Sequence, residues 1–223
     1  MSPQKETPLD HEELARIRAD LQRIGWAVST GTPEEVLRVI RWDPVWSAMP
    51  NRPGASRQST VLKPMTRAEA PQRSLSATYG LDAQPLHTDG AHLTERPDVI
   101  MLACADTSTT DTLVRAFQPG NLPDFVFSGV FTVNTGKSKF LAPAYDGALR
   151  FDPVAMRPSD YLSRRTVEYF AAERANAHHH RWEDANMLLF INNRLSLHAR
   201  DAITEDADSR RVARYAFRIE RDA

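Results

Sequence analysis

The sequence contains a single cysteine, Cys104, so it closes no internal disulfide and builds no multi-cysteine zinc or iron–sulfur site. No apolar run comes near the roughly 20 residues needed to cross a bilayer. Neither charge sign is in excess: 28 lysines and arginines stand against 29 acids, a net charge of −1. A dedicated nucleic-acid binder needs a basic surplus to neutralise phosphates, and this balance argues against one. Lysine is scarce (Lys5, Lys63, Lys137 and Lys139), a mark of genome composition and not of function. The stretch from Met1 to Glu13 is polar, with no apolar signal core. These absences lead to the expectation of a soluble, cytoplasmic protein with neither a membrane nor a nucleic-acid partner.

What remains is the composition of a folded chain, 41% hydrophobic and 26% charged over 223 residues. That length buries a core and encloses a pocket. No repeat, low-complexity tract or linker interrupts it, so residues 1–223 read as one domain. Residues 1–9 read as a loose tail. Asp10 and Glu13 form a capping-box-like helix start, Leu14, Ile17, Leu21 and Ile24 line one helical face, and Gly25 is a stop. A short strand from Trp26 to Ser29 follows. Thr32-Pro33-Glu34-Glu35 starts a second helix with Val36, Leu37, Val39 and Ile40 on its apolar face, ended by Asp43-Pro44. The N-terminal helices thus occupy about residues 10–42.

Residues 47–74 carry Pro50, Pro53, Gly54, Pro64 and Pro71 and read as an irregular loop of the kind that covers a site. From Leu75 to about 219 the character changes. Short apolar or alternating runs recur at Val99–Cys104, Gly129–Thr135, Met187–Ile191 and Val212–Ile219, and one more helix is expected between Ser159 and Ala177. This spacing predicts a mainly β core with flanking helices, a sandwich or barrel.

Three local patterns carry chemistry. In Leu86-His87-Thr88-Asp89-Gly90, strand alternation would point His87 and Asp89 the same way, within reach of one cation. Alone, His-x-Asp is as well explained by a strand-end histidine beside a surface aspartate. Asn192-Asn193-Arg194-Leu195-Ser196-Leu197-His198 places a second histidine just after a core strand. Two histidines and one carboxylate suit a non-haem Fe(II) oxygenase, and a catalytic zinc site uses three such ligands as well. In Arg210-Arg211-Val212-Ala213-Arg214-Tyr215, Arg210 and Arg214 share a face. They either meet anionic partners or stand in solvent on an edge strand.

Together these patterns resemble the Fe(II)/2-oxoglutarate dioxygenases of the TauD/TfdA type, and within them the branch of clavaminate synthase and the amino-acid hydroxylases. The resemblance runs in order over residues 75–219. It takes in Leu86–His92, Arg96-Pro97-Asp98-Val99, Thr110-Asp111-Thr112 (at the place of a Gly-Gly-x-Thr turn), Trp182–Phe190, Asn193-Arg194-x-x-x-His198 and Arg210-x-x-x-Arg214. It implies a double-stranded β-helix, or jelly roll, with His87, Asp89 and His198 as iron ligands. It also implies that Thr112 and Arg210 bind the co-substrate 2-oxoglutarate, with Arg211 as the register alternative to Arg210, and that Arg214 lies near the primary substrate. Arg150 matches a recurrent basic position, either a substrate contact or a surface salt bridge. The implied reaction consumes O2 and 2-oxoglutarate, releases succinate and CO2, and oxidises, most simply hydroxylates, a small polar metabolite such as an amino acid.

The chain departs from the pattern at Thr109-Thr110, at Ala185-Asn186 and at Asn192. These departures keep open an alternative, a non-enzymatic jelly-roll module with a vestigial metal site. A cupin-like metalloenzyme without 2-oxoglutarate is a third reading. Of the remaining candidates, His178-His179-His180 are adjacent and do not converge well on one ion, His92 reads as peripheral, and Cys104 reads as core.

Overall fold

The computed structural model describes residues 9–50 and 58–220. Helix α1 (His11–Arg23) starts where Asp10 accepts the Glu13 backbone N–H. Leu9, one residue ahead of the cap, is buried in the same cluster as Leu14, a hydrophobic staple. The tail expectation is corrected there, while residues 1–8 lie outside the described residues. Gly25 follows α1 at φ +86°, and a Cβ at this position would lie 2.5 Å from both Ala116 Cβ and Ser196 Oγ. Only glycine fits both the turn and the packing. Strand β1 (Trp26–Thr30) leads to α2 (Pro33–Ile40), whose Thr32–Glu35 capping box forms as the sequence predicts.

The proline-rich stretch is more ordered than its composition suggests. It contains β2 (Trp46–Met49) and β3 (Ser59–Leu62), and both pair with β12 (Val212–Ile219). The expected covering loop is therefore in part sheet edge, and its residues 51–57 lie outside the described residues. Helix α3 (Leu75–Tyr79) follows. Next come β4 (Val99–Cys104) and β5 (Ser108–Ala116), α4 (Asp124–Ser128), β6 (Phe131–Asn134), β7 (Lys139–Ala142) and β8 (Met156–Pro158). Then α5 (Tyr161–Glu173), β9 (His178–Trp182), β10 (Met187–Asn192) and β11 (Ser196–Arg200) precede β12.

The strands form three antiparallel sheets. The first runs β1-β10-β4-β12-β2 with β3 also on β12, the second β11-β5-β9, and the third β7-β6-β8. Strand β4 shows how the layers stack. Val99, Met101 and Ala103 join α1 and α2 in one cluster, while Ile100, Leu102 and Cys104 join Val114, Trp182, Leu189 and Val212 in another. Both faces of β4 are covered, which is why its sequence is apolar without alternation. A third cluster lies behind the second sheet, where Leu113, Leu197 and Ala199 pack against Phe131, Phe151 and Phe170. Each such fully buried phenylalanine contributes about 1.5–3 kcal/mol. The architecture is a jelly roll flanked by helices, with the candidate site residues between its first two sheets. Among the described residues no helix is long and apolar enough to cross a membrane.

Candidate metal centre

His87 is brought to His198 by a two-residue bridge, in which each backbone N–H donates to the other residue's carbonyl at 2.9 Å. The strand expected through His87 and Asp89 is thus corrected to a bridge followed by a turn at Gly90, where φ is +70°. The convergence survives by other means. Thr88 is tied twice to the Phe151 backbone: its N–H donates to the Phe151 carbonyl at 2.7 Å, and its side-chain Oγ1 accepts the Phe151 N–H at 3.1 Å. Asn193 holds Asp89 from the other side. Its Oδ1 accepts the Asp89 N–H at 2.9 Å, and its Nδ2 donates to the carbonyls of Asp89 (3.0 Å) and Pro97 (2.9 Å). Arg150 completes the clamp by donating to the carbonyls of Ala91 (2.6 Å) and Leu93 (2.9 Å).

Within this frame His87, Asp89 and His198 are buried and present ligand atoms that all lie within 4.8 Å of one another. Asp89 Oδ1 is 4.0 Å from His87 Nε2 and 3.9 Å from His198 Nε2. These gaps are too long for hydrogen bonds and suit a shared cation at bonds of about 2 Å. His87 Nδ1 lies 3.0 Å from the Pro85 carbonyl, which fixes the tautomer that turns the Nε2 lone pair inward. Asp89 Oδ2 and His198 Nδ1 are buried without a hydrogen-bond partner. Burial opposes the Asp89 charge, but the Arg214 guanidinium, by its charge and its hydrogen bond, outweighs it and holds the carboxyl below its ordinary range. Burial first, and His87 next, push the His198 imidazole down to about 3, leaving it neutral as a metal ligand must be. A buried carboxylate with one orphaned oxygen, set beside two imidazoles, fits a divalent cation and leaves coordination positions open.

The even-numbered residues from Arg210 to Ala216 face between the sheets. Arg214 reaches Asp89, its Nη1 3.1 Å from Oδ1. Arg210 is buried, 6% exposed, and its Nε has no partner. Arg211 points outward and donates to the Arg210 carbonyl. Asp206 lies near Arg210, but both its carboxylate oxygens are taken by the Ser108 and Thr110 hydroxyls. It offsets the Arg210 charge without occupying the guanidinium. Thr112 is buried in β5, and its Oγ1 accepts the Trp182 Nε1–H at 3.1 Å. At Thr110–Thr112, where the sequence lacks the glycines of the Gly-Gly-x-Thr turn, the residues are extended, with a bulge between Ser108 and Thr112.

The other candidates separate. Arg150 is only 4% exposed and packs against the ligand loop from a separate segment, with Asp146 3.6 Å from its Nη2. It is not the surface salt bridge that was one of its two readings. His178 stacks on Trp26 at 4.1 Å, and His179 pairs with Asp111 at 3.0 Å. His180 alone of the three turns inward. His92 is half-buried outside the cluster, and Cys104 is buried with Sγ 3.6 Å from the Arg211 carbonyl. Sequence reasoning assigned no task to Asn193, Asp206, Trp182 or His180. Asn193 and Trp182 stood in the motifs that carry the resemblance, and the two-residue spacing of His180 and Trp182, which puts them on one strand face, could have marked His180.

No protein-family model matches the sequence, and no curated protein matches it. Solved structures do share its fold. Asparagine oxygenase in complex with Fe(II), 2S,3S-3-hydroxyasparagine and succinate superposes with a TM-score of 0.70 at 20% identity, covering 92% of this chain and 77% of its own. The non-heme iron oxygenase OrfP, in complex with Fe and alpha-ketoglutaric acid, gives 0.65 at 18% identity, with 92% and 78% covered. PvcB from Pseudomonas aeruginosa gives 0.65 at 17% identity, with 98% and 88% covered. At these identities the likeness is one of fold: the chain has the architecture on which non-heme iron oxygenases are built.

Proposed function

We propose that this protein is an Fe(II)- and 2-oxoglutarate-dependent oxygenase that hydroxylates a small polar metabolite, an amino acid or a derivative of one. The observation that carries the proposal is the buried cluster of two imidazoles and one carboxylate, with an orphaned Asp89 oxygen, on a jelly roll whose interior also holds the Arg210 guanidinium, its Nε without a partner. Bound there, Fe(II) with 2-oxoglutarate supplies O2 activation and oxidation of an unactivated carbon, with succinate and CO2 as co-products.

The chain's own residues do the rest. His87, Asp89 and His198 would hold the metal, and three protein ligands leave coordination positions for the co-substrate and O2. Arg210 receives the far carboxylate of 2-oxoglutarate through its planar fork. Thr112 already accepts from Trp182, so its own hydroxyl proton is free to donate to that carboxylate. Arg214, 32% exposed at its side chain, steadies Asp89 and presents its remaining donors to a substrate carboxylate. Arg150, whose Nη1 donates to both the Ala91 and Leu93 carbonyls, is assigned to holding the ligand loop instead of the substrate. The apolar core between the sheets keeps water from the reacting centre. The amino-acid assignment is supported by the hydroxyasparagine and hydroxyarginine complexes of the structural neighbours. The proposal includes a cytoplasmic site of action, where Fe(II) and the free Cys104 thiol both persist, and neither a nucleic-acid nor a membrane partner.

Anaerobic titration with Fe(II) and then 2-oxoglutarate, followed by visible absorption, tests this. A weak charge-transfer band that needs both additions is expected, and it disappears in His87→Ala. Iron bound without the band overturns the 2-oxoglutarate assignment in favour of a different metalloenzyme. No iron binding at all leaves the vestigial module.

A further inference from the structure

His180 has no task in the reaction proposed above. It is 4% exposed, sits on the inner face of the second sheet and is the cross-strand partner of Thr112. Its ring stands edge-on to Trp182, with centroids 4.4 Å apart and planes at 89°. Its Nε2 is buried and has no hydrogen-bond partner. Leaving a ring nitrogen in this state is costly, and such atoms in native interiors call for a partner. Arg210 Nε, another buried orphan, stands on the even-numbered run that faces between the sheets. Thr112 and Trp182, joined by a hydrogen bond, stand beside His180 on the second sheet, and Asp206 links Arg210 to that sheet through Ser108 and Thr110.

Donor arithmetic points the same way. A carboxylate offers about four lone-pair sites. A bidentate guanidinium from Arg210 fills two, and the Thr112 hydroxyl fills a third. The fourth needs a donor that brings no further charge. We infer that His180 is a third anchor of the co-substrate, donating its Nε2–H to the far carboxylate of 2-oxoglutarate beside Thr112 and Arg210. The inference rests on the 2-oxoglutarate reading and extends it to a residue that the iron ligands and the arginine motif leave unused. Burial, with His178 second, pushes the His180 imidazole down to about 4, so the ring is a neutral donor at working pH.

The test is binding and not turnover. Anaerobic calorimetry with Mn(II) in the metal site compares 2-oxoglutarate with 2-oxopentanoate, which keeps the chelating end and replaces the far carboxylate by a methyl. Losing a hydrogen bond to a charged group predicts a roughly 10- to 100-fold rise in the Kd for 2-oxoglutarate in His180→Phe. The Kd for 2-oxopentanoate should stay unchanged. His180→Gln, which places an amide N–H near the Nε2 position, should restore most of the affinity. An unchanged Kd for 2-oxoglutarate in His180→Phe, or equal weakening of both ligands, overturns the inference while the function stands. If the phenylalanine variant does not fold, His180→Gln and His180→Asn carry the test. Asparagine places its amide near Nδ1, so tight binding in the first and weak binding in the second is expected, and equal affinities overturn the inference. If the wild-type protein fails to bind 2-oxoglutarate, the function falls first and His180 with it.

Discussion

Replacing Asn193 with alanine should damage the metal centre without touching a ligand. Asn193 is 1% exposed and makes three side-chain hydrogen bonds: one from the Asp89 N–H, and one to each of the Asp89 and Pro97 carbonyls. The methyl group of alanine satisfies none of them. Each buried group left unpaired costs about 1–3 kcal/mol, and relaxation at the two carbonyls recovers part of this, so about 3 kcal/mol is expected. For a chain of this length that corresponds to a fall of roughly 6–12 °C in Tm, at ~2–4 °C per kcal/mol. Because the lost bonds fix the backbone on which the Asp89 carboxylate stands, affinity for Fe(II) or Mn(II) should fall about 10- to 100-fold. Differential scanning calorimetry and metal titration read the two effects separately. If Tm falls and metal affinity stays within twofold, Asn193 serves the fold alone and its coupling to Asp89 is refuted. If Tm does not move, the hydrogen bonds do not carry the load assigned to them.

Three further outcomes are expected. Arg210→Ala should raise the Kd for 2-oxoglutarate by about 100-fold or more, and Arg211→Ala should leave it unchanged, since only Arg210 faces inward; calorimetry showing the reverse would exchange their roles. Gly25→Ala should cost roughly 2–4 kcal/mol in urea unfolding, because the new Cβ meets Ala116 and Ser196 at 2.5 Å on a backbone with φ +86°. His180 has a folded pKa of about 4, below its unfolded value of about 6.5. The unfolded chain therefore binds the extra proton first, and the His180 contribution is complete above pH 6.5 and declines toward pH 4. Comparing wild type with His180→Gln by urea midpoints at pH 7.5 and 4.5 should show a pH-dependent difference of about 2–3 kcal/mol, and parallel profiles would count against it.

The sequence was legible where burial alone shapes a strand. β4 and β12 match the predicted runs residue for residue, because β4 is covered on both faces and β12 alternates between two clusters. The α2 capping box and the first helix face were equally plain. β5 and β9 were not, and the reason is their chemistry. Ser108–Ala116 and His178–Trp182 turn polar side chains into the interior, so the apolar alternation that marks a strand is missing where the pocket needs donors. β2 and β3 were hidden by neighbouring prolines. The ligand set was legible as a resemblance, but the means of bringing it together was not. A bridge, a turn and the Asn193 clamp, 104 residues from Asp89, replace the expected strand. Nor does an arginine in a sequence announce whether its fork meets a ligand or, like Arg150, a pair of loop carbonyls.

The position of β12 has a consequence for how the protein matures. It follows every other strand in the chain, yet it lies inside the first sheet, with β4 on one side and β2 and β3 on the other. Until the ribosome has released it, the sheet is split, Asp89 lacks Arg214, and the interior is open to water. On the proposed function, a metal site that depends on this frame is not filled as its ligands emerge. The ion should enter only after synthesis has passed β12, and from then on it opposes unfolding by mass action, by ~2.7 kcal/mol when free metal stands a hundredfold above its Kd. On that reading the supply of metal would bear on the lifetime of the finished protein as well as on its activity.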